Sequence, residues 1–257
     1  LPLFQYYMEK GETRDPGAYA RAAILEALRP SWHPSDLPTL VQAVNTYEFL
    51  PPSFTEEAVP LRTNGLIALN DLDDQIARYH AVRLLADEYT ERMSGEPART
   101  ALIVLGSQQE LLPLYYYVMQ PADRTLPELV SESLRNLTTL PDDLLPGIIE
   151  RYQASPHDVI LIGLFDLLLE HETGPHGREL LGEFLANSER YDAYQYLVTL
   201  LVARAASGRT DLISLLLDSG NGERDPEKIR ILELALGVLS DIDEVASLLI
   251  QLRKQLR

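Results

Sequence analysis

His171-Glu172 followed by His176 is the nearest thing in this chain to a metal-hydrolase signature. A zinc-binding helix of that kind needs two histidines four residues apart on one face, with the glutamate between them as general base. Here the histidines are five apart, and Gly174-Pro175 interrupts any helix between them. The segment reads as a polar turn between helices. A surface metal site completed by Glu170 or Glu179 is the chemical alternative. Asp218-Ser219-Gly220-Asn221-Gly222-Glu223 has the composition of a calcium loop. It lacks Asp or Asn at the third and fifth positions and glycine at the sixth, so it reads as a loop between helices. The paired carboxylates Asp73-Asp74 and Asp142-Asp143 each open an expected helix, where favourable interaction with the helix N-terminus explains them without acid–base catalysis.

Other chemistries lack their residues. The chain has no cysteine, which removes disulfides, thiolate zinc sites and a cysteine nucleophile. No Gly-x-Ser-x-Gly elbow is present, and the 14 glycines form no phosphate-cradling loop. The expectation is a protein that is not an enzyme, with no catalytic residues, no metal and no cofactor. Lys and Arg total 22 against 39 Asp and Glu, a net charge of −17. A chain this acidic repels phosphate backbones and anionic membranes, so neither nucleic acid nor membrane is expected as partner. No signal peptide is visible and no apolar run approaches the length of a spanning helix. A soluble, cytoplasmic protein is expected. Because residue 1 is leucine, the 257 residues are expected to be one domain cut from a longer chain.

The elements that would carry any site come as a repeat. An acidic residue, one or two leucines and often a proline open an apolar helix at Asp36-Leu37-Pro38, Glu110-Leu111-Leu112-Pro113 and Asp143-Leu144-Leu145-Pro146. Weaker copies begin near Asp73-Asp74, Gly177-Arg178-Glu179, Asp211-Leu212 and Asp243-Glu244. The starts lie roughly 33 to 37 residues apart, the period of helix-pair repeats. Upstream of each start, apolar residues at helical spacing predict a first helix over 16–29, 56–70, 97–105, 126–138, 156–170, 191–206 and 226–239. Longer loops are expected at 48–55, 93–97 and 219–225, and nothing reads as a strand ladder. A helix pair of this size cannot close its own core, so stacking must do it. The fold class expected is all-α: a right-handed superhelix of six to seven antiparallel helix pairs spanning 1–257.

The segment from Ala98-Arg99-Thr100-Ala101-Leu102-Ile103-Val104-Leu105-Gly106 to Glu110-Leu111-Leu112 resembles the HEAT and armadillo class of helical repeats. Asp74-Gln75-Ile76-Ala77-Arg78 through Leu84-Leu85 also looks like a HEAT-type first helix, one frame away from the assignment above, which leaves the register over 56–93 open. In stacked pairs the second helices line the concave side. Aligned by their starts, they place Gln42, Tyr79 and Tyr116 at one position, with Arg83 a turn beyond Tyr79 and Tyr115 and Tyr117 beside Tyr116. Trp32, between the first two helices, is a further candidate. These seven residues are the expected partner-binding set, since aromatics on a rigid curved surface make interface anchors. The resemblance implies a non-catalytic scaffold that presents a curved surface to a protein or peptide, and the chain's acidity points to a partner of basic character. Two alternatives stay open: a HEAT-like enzyme or nucleic-acid processor of the alkylpurine DNA glycosylase or bilin lyase kind, or a structural spacer inside a larger protein.

Overall fold

A computed structural model describes residues 2–72, 75–171 and 175–256, apart from the side chains of 175 and 176. The architecture is mostly helical, with sixteen α-helices and one two-stranded hairpin among the described residues. The chain divides into two compact units, residues 1–137 and 138–257.

The first unit contains α1 (Pro2–Met8), α2 (Gly11–Arg14), α3 (Tyr19–Leu28), α4 (Leu37–Val44), α5 (Val59–Asp71), α6 (Gln75–Leu85), α7 (Ala98–Ser107), α8 (Leu111–Val118) and α9 (Pro127–Arg135). Here α3, α5, α7 and α9 pack in series, and α4, α6 and α8 each lie against the odd-numbered helix that follows. The second unit contains α10 (Leu145–Tyr152), α11 (Asp158–Glu170), α12 (Pro175–Asn187), α13 (Tyr191–Ala206), α14 (Ile213–Gly222), α15 (Pro226–Leu236) and α16 (Asp243–Gln255). It builds two series, α11–α13–α15 and α12–α14–α16, joined by contacts between neighbours.

A helix stands at each of the seven expected first-helix positions, close to its expected limits, and another follows near each expected second-helix start. The acid–leucine–proline phrase works differently from a plain cap. At Pro34–Asp36, Asp142–Leu144 and Thr210–Leu212 a 3-10 turn precedes the α-helix, and the acid belongs to that turn. The Asp36 carboxylate accepts the backbone N–H of His33, 3.0 Å away. The Asp73-Asp74 pair lies outside the described residues.

Two expectations need correction. The segment 48–55 holds a short hairpin: β1 (Phe49–Leu50) pairs antiparallel with β2 (Thr55–Glu56), Phe49 opposite Glu56. Two-residue strands are too short to leave an alternating pattern in a sequence. The expected loop at 219–225 starts later, because α14 runs on to Gly222. Gly220 faces Leu248 of α16, and a Cβ on it would come within 3.1 Å of Leu248 Cδ1. This glycine permits close helix approach; it does not mark a turn.

Gly65 does the same between α4 and α5. A Cβ there would lie 2.9 Å from Val44 Cγ1 and 3.2 Å from the Val44 backbone nitrogen, both in the interior. Backbone cannot yield as a flexible side chain can. Gly65→Ala is therefore expected to destabilise the first unit by about 1–3 kcal/mol, the cost of overpacking. Urea denaturation would read this as a lower midpoint, and an unchanged midpoint would show that α4 can slide.

Candidate interaction surface

Three of the buried side chains in the described residues are cations sitting on the apolar stripes of their helices. Arg21 lies between Ala18, Ala22 and Leu25 on α3 and its lead-in turn; Arg62 lies with Leu61, Gly65, Leu66 and Leu69 on α5. Lys228 shares its stripe with Ile229, Leu232 and Leu236 on α15. Burying a charge is costly unless it is paired and hydrogen-bonded, so their partners define what the fold is built to hold.

In the first unit those partners form an ionic spine beneath the hairpin. Arg21 Nε donates to Asp15 Oδ2 at 2.9 Å and its Nη2 to Glu48 Oε1 at 2.6 Å. Asp15 also accepts the backbone N–H groups of Ala20 and Arg21, capping α3 across the kink at Gly17, where φ is +80°. Arg62 Nη2 donates to Glu56 Oε2 at 2.8 Å and its Nη1 to the Thr46 carbonyl at 3.1 Å; its Nε stands 3.3 Å from Asp87. The Arg62 guanidinium lies 4.0 Å over the Tyr47 ring. Arg83 of α6 donates to the Tyr47 hydroxyl and the Val44 carbonyl, both at 2.6 Å, and that hydroxyl donates to Asp87. Glu56 Oε1 accepts the backbone N–H groups of Glu48 and Ala58, linking both halves. Three arginines, from α3, α5 and α6, thus clamp the hairpin and the start of segment 86–97. The Tyr47 hydroxyl is raised above its ordinary pKa, first by burial and then by the Asp87 charge, with Arg83 and Arg62 opposing.

The sequence-predicted partner residues separate into three groups. Tyr79 is 73% exposed and Tyr116 66% exposed, with Gln42 also exposed on α4 and Tyr115 half-buried. Each tyrosine stands in an apolar stripe open to solvent: Ile76, Tyr79 and Val82 on α6, Leu112 and Tyr116 on α8. Arg78 of α6 pairs with Glu110, just before α8, at 2.9 Å. Arg83 is half-buried and its guanidinium belongs to the spine. Trp32 and Tyr117 are buried; the Tyr117 hydroxyl accepts the backbone N–H of Leu126. Their rings fill the interior, as one face of any helix must, and the expectation that they meet a partner gives way to a packing role.

In the second unit, one residue of the earlier histidine motif can be placed. His171 is buried, its Nε2 2.6 Å from the Leu140 carbonyl and its Nδ1 3.7 Å from Asp142. Since a carbonyl can only accept, Nε2 carries the hydrogen there. Glu172 and the side chain of His176 lie outside the described residues. Among the described residues no group of three His, Cys, Asp or Glu side chains is placed to hold a metal ion, and no helix is long and apolar enough to cross a membrane. Lys228 donates to the Leu185 carbonyl at the end of α12, lies 3.7 Å from Glu223, and sits 5.0 Å over the Tyr194 ring.

Sequence reading missed the spine, although a signal for it existed: an arginine on the apolar face of a helix, at residues 21 and 62. No protein-family model, no curated protein and no solved structure matches the chain.

Proposed function

We infer that the chain is a HEAT-like helical-repeat scaffold that binds a protein or peptide partner without catalysis. The serial packing of α3–α5–α7–α9, and of α11–α13–α15 beside α12–α14–α16, supports a stacked-pair superhelix within each unit. The observation that carries the functional reading is the exposure of Tyr79, Leu112 and Tyr116 on α6 and α8. Large apolar side chains exposed to water at regular helical positions are the usual anchors of an interface.

The test is site-directed photocrosslinking from position 79 in the source cell extract. The captured protein is then purified, and its affinity measured for the parent chain and for Tyr79→Ala/Leu112→Ala/Tyr116→Ala. With circular dichroism unchanged, the triple variant is expected to bind at least about thirtyfold more weakly, as for loss of central anchors. Equal affinity for a folded variant would overturn the assignment of this face.

A further inference from the structure

The hairpin and segment 86–97 carry a cluster of rings above the ionic spine. Tyr89 meets Phe49 edge to face, ring centroids 5.1 Å apart at 74°, and meets Tyr47 at 5.8 Å and 64°. The Tyr47 ring is already occupied from within by Arg62. Phe49 and Tyr89 remain partly open to solvent, two nearly perpendicular walls of a corner. Two further exposed apolar residues lie on the same hairpin and the same segment. Phe54 projects from the turn between β1 and β2, and Met93 from the turn closed by Glu91 N–H donating to the Glu96 carbonyl; both are well exposed.

Carboxylates act on this ring pair from its own segment and from the hairpin. The Tyr89 hydroxyl is raised above its ordinary pKa, chiefly by its hydrogen bond to Glu88 and then by the charges of Glu88, Asp87 and Glu56. Glu88 and Glu91 are exposed on the same segment, and half-buried Glu57 follows β2; Arg92 is the exposed cation among them. Ring faces attract cations, and carboxylates behind the rings add to that attraction while repelling anions. Arg62 over Tyr47 is the same interaction made inside the molecule.

We propose that the Phe49–Tyr89 corner is a docking site for the side-chain cation of a basic peptide segment, with Phe54 and Met93 taking the apolar residues beside it. The occupant is an arginine or lysine flanked by apolar side chains. This site is separate from the α6 and α8 stripes and holds whether or not those bind a partner.

The probe is a short synthetic peptide with a central arginine flanked by leucines, titrated by nuclear magnetic resonance at physiological salt. A matched peptide carries glutamate at its centre. The arginine peptide is expected to shift the resonances of Phe49, Tyr89 and their neighbours, and the glutamate peptide to leave them in place. Phe49→Leu keeps the apolar packing and removes the ring; it is expected to weaken binding about five- to tenfold. Glu88→Gln changes an exposed side chain and so leaves the fold intact; it is expected to weaken binding by a smaller factor, while Ile250→Ser in the second unit serves as control. Equal binding of both peptides, or undiminished binding by folded Phe49→Leu and Glu88→Gln, would overturn the site and leave diffuse net-charge attraction as the cause.

Discussion

Arg62→Met is expected to cost the first unit about 3–5 kcal/mol, the penalty for leaving buried carboxylates without their cation. Arg62 is completely buried, and the side chains of Glu56 and Asp87 beside it are 3% and 2% exposed. Methionine fills much of the arginine's volume, so the loss is electrostatic rather than a cavity. A domain has a total stability of about 5–15 kcal/mol, so this single change takes a large share of it. Urea denaturation should show a much lower midpoint. The near-ultraviolet signal of Tyr47 and Tyr89 should collapse first, because the spine holds the hairpin in place. Arg62→Lys should rescue little, since one ammonium cannot bond Glu56 and Thr46 and also stack on Tyr47 as the planar guanidinium does. Neutralising the acids as well, with Glu56→Gln and Asp87→Asn beside Arg62→Met, should restore part of the loss, because no orphaned charge then remains. A loss below about 1 kcal/mol for the single variant would mean that water reaches the spine, contrary to its burial.

Raising the pH from 10 to 12 is expected to remove about 2 kcal/mol from the second unit through Tyr194 alone. Its hydroxyl is pushed up to about 12, mainly by burial, with the charges of Glu223 and Asp225 adding and its hydrogen bond with Ser219 opposing. The unfolded chain loses this proton near the ordinary value of 10, whereas the folded chain keeps it. The stabilisation is therefore complete below pH 10 and lost as pH rises toward 12. Tyr194→Phe removes this titration and leaves every other group common to both proteins. The variant should be less stable at neutral pH by about 1 kcal/mol, for the lost hydrogen bond. Its stability should then fall less steeply over the alkaline range, so the gap between the two proteins narrows or reverses. Parallel curves, followed by circular dichroism and tyrosinate absorbance, would contradict the burial of this hydroxyl.

Much of the helical framework can be read from the residues. Leucines at helical spacing mark the buried faces of α11 and α13, and an acid followed by leucine and proline marks the entries to α4, α8 and α10. Both signals are local, so no distant contact is needed to interpret them. The hairpin is different. Its strands are two residues long, and what fixes them is a set of ion pairs between residues 15, 21, 48, 56, 62 and 87. Read singly, each of these looks like an ordinary surface charge. Only the positions of Arg21 and Arg62 on apolar stripes betray them, and a sequence does not say which acids they meet. The candidate surface divides the same way. Of three adjacent tyrosines, the helical period requires that one face inward, but the neighbouring helices decide that it is Tyr117 and that Tyr116 faces water.

The serial packing of the second unit also bears on how it responds to force. Most of its helix contacts are with neighbours one or two places along the chain, as α16 touches α15 and α14. Tension applied at the C-terminal end therefore reaches α16 first, and only then the buried Lys228 hydrogen bond that ties α15 back to α12. α16 should pay out first and at low force, and α15 only once the Lys228 tie has broken, so single-molecule stretching should show one small step followed by a larger one.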